Sequence, residues 1–136
     1  MDYFDLEIRI RYAETDQMGV CYYSNYLVWF EMGRTEYFRS LGLVYTEFEK
    51  KGLFLPVGEV YCRYHKPLRY DDLIVVRTWI KKIGRTSMQF AYKIMKKGES
   101  EIIAEGYTTH VFVNKDMKPC RIPNEIRENV QVVSGV

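Results

Sequence analysis

The sequence predicts an α+β fold in which one five-stranded antiparallel sheet wraps around a single long central helix. Three observations predict it. The first residues alternate apolar and polar with period two. A segment from position 26 to 41 carries apolar residues at helical spacing. The rest divides into four strand-like runs separated by short turn-forming stretches. A sheet packed on one apolar helix is the economical arrangement of these elements.

The first element is a strand. Phe4, Leu6, Ile8 and Ile10 share one face; Asp5, Glu7, Arg9 and Arg11 share the other. Period two marks a strand with one buried side. The stretch Tyr12-Ala13-Glu14-Thr15-Asp16-Gln17-Met18-Gly19 has turn chemistry and no strand pattern. A helix follows, with Ser24 or Asn25 as the N-cap whose side-chain oxygen accepts an orphan N–H. Tyr26, Phe30, Gly33, Tyr37 and Leu41 fall on one helical face, with Leu27 and Phe38 also at helical spacing. The run Tyr26-Leu27-Val28-Trp29-Phe30 is apolar almost all round, as in a buried helix. Gly33 costs a helix about 1 kcal/mol against alanine, which close approach to the sheet would offset. Gly42 ends the helix.

A short second helix is expected over Tyr45 to Lys51, stopped by Gly52. Strands then run Leu55 to Tyr64, Leu73 to Lys82, Ser87 to Lys96 and Ile102 to Val113. Their turns, Tyr70-Asp71-Asp72, Gly84-Arg85 and Lys97-Gly98-Glu99, predict a meander of antiparallel hairpins. One or two helical turns are expected between Ile122 and Val130.

A length of 136 residues suits one domain over 1–136, and 47% apolar residues suffice for its core. A net charge of +2 lacks the clustered basic footprint of nucleic-acid binding. The acidic start Met1-Asp2-Tyr3-Phe4-Asp5 is unlike a signal peptide, and no apolar run approaches the roughly 20 residues of a membrane helix. The expectation is a cytoplasmic protein with no membrane insertion. Cys21, Cys62 and Cys120 show no CxxC or zinc spacing and read as free thiols. A sheet with open edges calls for a homodimer with a continuous sheet, doubled in turn to a dimer of dimers.

The chemistry is expected between Arg11 and Arg34, RYAETDQMGVCYYSNYLVWFEMGR. Asp16 stands just before a glycine and the start of the apolar helix. Helix N-termini present unpaired N–H donors and partial positive charge. Such donors stabilise an oxyanion, while a nearby carboxylate attacks a carbonyl or directs water at it. Taken alone, an aspartate before a helix is more often a cap or turn residue.

The segment resembles the signature of the 4-hydroxybenzoyl-CoA thioesterase family of the hotdog superfamily, and particularly its YbgC-like acyl-CoA thioesterase branch. The matching residues are Tyr12, Thr15-Asp16, Gly19-Val20, Tyr22, Asn25-Tyr26, Phe30-Glu31 and Arg34. Shorter matches follow at Arg63-Tyr64, Pro67-Leu68 and Gly84-Arg85-Thr86-Ser87. The resemblance implies acyl-CoA hydrolysis with Asp16 as the catalytic carboxylate and the Tyr23 N–H polarising the carbonyl. It implies that Gly19 and Val20 form the turn presenting Asp16, with Tyr22, Asn25 and Tyr26 at the substrate and helix start. A site shared between subunits is implied too. Many YbgC-like members carry histidine at the position of Tyr23; the Tyr22-Tyr23 pair is similar to the aromatic-thioester branch. By the same resemblance Lys81, Lys82, Arg85, Thr86 and Ser87 help to bind the nucleotide part of coenzyme A, against the simpler reading of a solvated hairpin tip. The coenzyme is part of the substrate, and no separate cofactor or metal is expected.

Other residues have plainer readings. Cys21 lacks an activating histidine nearby in sequence and reads as a packed thiol. His65 and His110 stand alone and read as structural. Glu14 could join Asp16 as a carboxylate pair but reads as a solvated partner of a nearby base. Glu31 and Arg34 are spaced to pair on the helix. Glu59, on a strand, is expected to support the site indirectly at most. Two rival functions stay open: a hotdog hydratase or dehydratase, which wants a histidine near Asp16, and a non-catalytic acyl-CoA-binding protein.

Overall fold

A computed structural model describes residues 2–136; Met1, at the head of the acidic N-terminal stretch, lies outside them. Strand β1 (Phe4–Arg9) alternates half-buried and exposed positions, as the period-two pattern requires. A single 3₁₀ turn over Tyr12–Glu14 follows, then helix α1 (Asn25–Ser40) and helix α2 (Tyr45–Lys50). Strands β2 (Val57–Tyr64), β3 (Leu73–Ile83), β4 (Ser87–Lys96) and β5 (Ala104–Val111) come next, and helix α3 (Asn124–Asn129) lies near the end. Each expected element exists, with ends that agree to within two residues.

The sheet order is β1-β3-β4-β5-β2, every neighbouring pair antiparallel. The expected meander therefore holds only for β3-β4-β5. No hairpin joins β2 to β3: β2 pairs with β5 at the far edge, while β1 pairs with β3. The eight residues between β2 and β3 carry the chain across the width of the sheet. Turn chemistry at Tyr70-Asp71-Asp72 is real, with Asp71 at φ 70°. That turn docks on β1, through Ile10 N–H to the Asp72 carbonyl at 2.9 Å and Asp71 N–H to the Ile10 carbonyl at 3.0 Å.

Helix α1 lies across the inner face of the sheet. Phe30 stacks on Tyr92 of β4 with centroids 4.2 Å apart, and Phe38 meets Phe90 at 5.4 Å. Gly33 is the point of closest approach: a Cβ there would stand 2.5 Å from Thr78 Oγ1 and 3.1 Å from Val76 Cγ1. The glycine is thus explained by packing. Gly42 takes φ 79° just beyond the helix, the left-handed conformation that ends it.

Three expectations about α1 are corrected. Ser24 stands at the N-cap position but has helical φ and ψ and makes no side-chain cap. Asn25, the alternative cap, instead donates its side-chain amide to the Glu14 carbonyl at 2.9 Å. The helix is also not buried all round. Tyr26, Trp29, Phe30, Gly33, Tyr37 and Phe38 are buried, whereas Leu27, Val28 and Met32 are exposed on the single chain. Finally, among the described residues Glu31 and Arg34 form no ion pair. Arg34 lies beside the Tyr45 and Tyr92 hydroxyls, whose pKa values burial raises against the pull of that cation.

Edge strand β2 is exposed along almost its whole length, with Val57, Val60, Tyr61 and Tyr64 uncovered. Among the described residues no helix is long and apolar enough to cross a membrane.

Candidate active site

Three elements meet at one end of the sheet: the segment after β1, the start of α1 and the end of β2. The segment is fixed by its own backbone. Thr15 pairs with Cys21 in an isolated antiparallel bridge, the Asp16 N–H donates to the Val20 carbonyl at 2.9 Å, and the Gly19 N–H returns to the Asp16 carbonyl at 2.9 Å. Gly19 closes this turn at φ 78°, a conformation natural to glycine. Gly19 and Val20 thus form the turn below Asp16 that the sequence led one to expect.

Within that turn the Asp16 carboxylate is oriented. Its Oδ1 accepts the Met18 N–H at 2.8 Å, an Asx-turn that fixes the side chain without consuming Oδ2. The carboxylate is half-buried and close enough for its charge to raise the pKa values of Cys21 and Tyr22.

The helix start supplies the matching donor. The Tyr22 N–H is taken by the Glu14 carbonyl at 2.9 Å, the Asn25 N–H by the Tyr22 carbonyl at 3.1 Å and the Tyr26 N–H by the Tyr23 carbonyl at 3.3 Å. Among the described residues no acceptor sits on the Tyr23 N–H, and Tyr23 is 61% exposed. An unpaired N–H at a helix N-terminus is the arrangement that receives developing negative charge.

Tyrosines wall this end. Tyr22 and Tyr23 pack with centroids 4.7 Å apart, and Tyr26 meets Tyr64 edge-on at 4.7 Å. The Tyr64 hydroxyl donates to the Tyr23 carbonyl at 2.9 Å, tying β2 to the helix start. An opening of about 340 Å³ beside Tyr23 is lined by Cys21, Tyr23, Tyr26, Tyr64, His65, Lys66 and Pro67. Its size falls at the low end of small-ligand sites, roughly 300–1,000 Å³.

Glu14 is a correction. Expected to be a solvated partner of a nearby base, it is 6% exposed, and the base is present: the exposed Arg11, whose Nε lies 3.6 Å from the Glu14 Oε1. Its Oε1 accepts the Arg11 N–H at 2.8 Å and its Oε2 accepts the buried Trp29 Nε1–H at 2.9 Å. Cys21 is the packed thiol expected: burial chiefly, then the charges of Glu14, Asp72 and Asp16, push its pKa to about 11. It is a poor nucleophile at neutral pH. His110 is buried, within hydrogen-bond distance of Thr108 at 2.8 Å and of the Leu55 carbonyl at 3.2 Å. His65, distant in sequence, does reach the opening beside Tyr23, but its Nε2 lies 2.7 Å from Glu105. Glu59 lies on β2 near Tyr107 and raises the pKa of its hydroxyl. Among the described residues no cluster of three histidine, cysteine or acidic side chains is placed to hold a metal.

The basic hairpin is not brought to this place within one chain. Lys81, Lys82 and Arg85 are exposed, Thr86 and Ser87 half-buried. Lys81 is the extra residue of a bulge in β3. The hairpin backbone is anchored by Arg127, which donates to the Gly84 and Arg85 carbonyls. Leu73, at the start of β3, pairs with Arg9 just before the Asp16 segment, and Lys81 lies eight residues further along the strand, roughly 25 Å from that start at 3.3 Å per residue.

A sequence model of the thioesterase-like superfamily matches residues 10–130. The chain belongs to that superfamily. Among its relatives, YneP of Bacillus subtilis is 42% identical over 110 residues, 81% of this chain and 79% of that one. The acyl-CoA thioesterase YbgC of Haemophilus influenzae is 30% identical over 125 residues, 91% of each chain. The crystal structure of the DHNA-CoA thioesterase of Staphylococcus aureus superposes with a TM-score of 0.87 at 36% identity, covering 94% of this chain and 86% of that one. The sheet order and central helix are those of the hotdog fold of this superfamily. The superfamily match begins at residue 10 and so takes in the whole Asp16 segment and helix start.

Proposed function

We propose that this member of the superfamily hydrolyses the thioester of a small or aromatic acyl-CoA to the free acid and coenzyme A, with Asp16 as its catalytic carboxylate. The observation that carries the site assignment is the pairing of an oriented Asp16 carboxylate with the unpaired Tyr23 N–H at the start of α1. The Tyr23 N–H binds the carbonyl oxygen as it gains charge. Asp16 takes a proton from water as the water oxygen bonds to the carbonyl carbon, or attacks that carbon itself to form an anhydride that water then opens. In either route the C–S bond breaks and the thiolate leaves as coenzyme A, a proton restoring the thiol. Tyr22, Tyr23, Tyr26 and Tyr64 give the acyl group flat, apolar walls, which suits an aromatic ring.

The same reading assigns the functional unit to two copies. Val57 and Val60 on β2 adjoin Leu27 and Val28 on α1, an exposed apolar edge suited to pairing two sheets. A two-fold partner would supply Lys81, Lys82, Arg85, Thr86 and Ser87 from its own hairpin for the coenzyme A phosphates, since the chain's own hairpin is too far away. A dimer of dimers extends the same principle.

The test is a panel of acetyl-, butyryl-, octanoyl-, benzoyl- and 4-hydroxybenzoyl-CoA with free thiol detected, beside Asp16→Asn. The asparagine keeps an acceptor for the Met18 N–H, so the turn survives. The expected result is a native circular dichroism spectrum with kcat lower by about 10²–10⁴. Near-normal turnover of every accepted thioester would refute the role of Asp16. Binding of the panel without thiol release would identify a binding protein. Water addition to an enoyl thioester would favour a hydratase, a reading for which the position of His65 is the one favourable observation.

A further inference from the structure

We infer that Glu14 is the positioning residue of this site, its buried carboxylate holding the loop that carries Asp16 in register with the helix start that carries the Tyr23 donor. The inference rests on the thioesterase reading and deepens it.

Glu14 touches both halves of the site at once. Its backbone carbonyl accepts the Tyr22 N–H and the Asn25 side-chain amide, each at 2.9 Å. Tyr22 precedes the donor residue and Asn25 is the first residue of α1. Its carboxylate spans from the Arg11 N–H, at the exit of β1, to the Trp29 indole N–H, one turn into the helix. Asp16 follows two residues later. The hydroxyl of Thr15, between them, is held on the Tyr12 carbonyl at 2.7 Å. The acidic side chain is therefore the joint between the catalytic loop and the helix.

The charge itself has a purpose in this geometry. Both carboxylate oxygens face donors, so the site needs two acceptors on one planar group. Glutamine has the same shape but presents one acceptor and one NH₂. Whichever way its amide turns, one of the two N–H groups meets another donor. Trp29 is fully buried, and among the described residues Glu14 is the acceptor its indole N–H finds. An enzyme site loses rate steeply when its groups are displaced by about 1 Å, of the order of 10²-fold. A bidentate buried anchor is the means to prevent that, and the Arg11 guanidinium, its Nε 3.6 Å from Oε1, offsets part of the cost of burying the charge.

The test uses Glu14→Gln, Trp29→Phe and the double variant, each assayed for kcat and KM with the best substrate of the panel and melted by circular dichroism. Asp16→Asn runs in parallel. The expected result for each single variant is kcat lower by about 10- to 100-fold with KM within about threefold, the sign of an interaction realised in the transition state. The double variant should match the worse single variant and not the product of the two losses, because the pair acts as one joint. Normal kcat with only a lowered melting temperature, or losses that multiply, would overturn the inference. If Glu14→Gln does not fold, Trp29→Phe decides the matter by the same kcat criterion. Failure of the underlying reading looks different: the wild-type protein would release no thiol, or Asp16→Asn would stay active.

Discussion

At the scale of single residues, environment decides what a side chain can do. Glu14 and Asp16 are both acidic and two positions apart, yet one is enclosed between an indole and a backbone N–H while the other stands at a turn with an oxygen to spare. Cys21, beside them, is kept protonated by burial and by its acidic neighbours. His110 shows the same principle in a group remote from catalysis. Burial first, then the positive charge of Arg34, lower its pKa to about 4, against the opposing hydrogen bond of the Leu55 carbonyl. The folded chain therefore refuses a proton that the unfolded chain accepts below about pH 6.5. Stability is lost as pH falls from about 6.5 towards 4, by up to roughly 3 kcal/mol at 1.36 kcal/mol per pKa unit. Urea unfolding at pH 7 and pH 4.5 should show that loss, and His110→Gln should flatten this part of the profile. An unchanged slope in the variant would assign the acid sensitivity elsewhere.

At the scale of elements, most of the chain could be read in advance. The strand periodicity of β1, the glycine stops after α1 and α2 and the turns around β4 are all local, and local rules placed them to within a few residues. Two things were not local. The pairing of β2 with β5 was hidden because turn residues at 70–72 mark a bend and say nothing of which strands it connects. The start of α1 carries residues suited to capping, yet neither caps it: Asn25 is engaged by Glu14 and Ser24 has helical backbone angles. Gly33 is the element-scale residue whose purpose packing reveals. Gly33→Ala gains about 1 kcal/mol of helix propensity yet forces a Cβ against Thr78 and Val76. Overpacking of this kind costs about 1–3 kcal/mol. Denaturant titration should show a net loss of stability at unchanged m-value; a gain would mean that β3 yields freely.

At the scale of the whole molecule, the single chain leaves apolar surface uncovered. Val28 is 49% exposed on the central helix, and edge strand β2 carries a row of apolar side chains in water. The proposed pairing of two copies covers both and brings a basic hairpin from outside to the coenzyme end of the site. Val60→Asp places a charge in the middle of that edge, where it would be buried without a partner. The expected outcome is a monomer by sedimentation velocity with helix content retained and thiol release lost. A dimer of wild-type affinity would refute this edge as the interface.

By itself the sequence determined the elements and pointed to the carboxylate proposed as the reacting group. Periodicity fixed which face of each strand and helix is apolar, and the Tyr12–Arg34 signature singled out Asp16, because such patterns are written within a few residues of each other. Only the tertiary structure decided the strand order, the free Tyr23 N–H, the support of Tyr64 beneath it and the burial of Glu14 against Trp29. Those depend on contacts between residues far apart in the chain, 15 positions for Glu14 and Trp29 and 41 for Tyr23 and Tyr64, whose formation rests on the packing of the whole sheet against α1 and leaves no periodic trace in the chain.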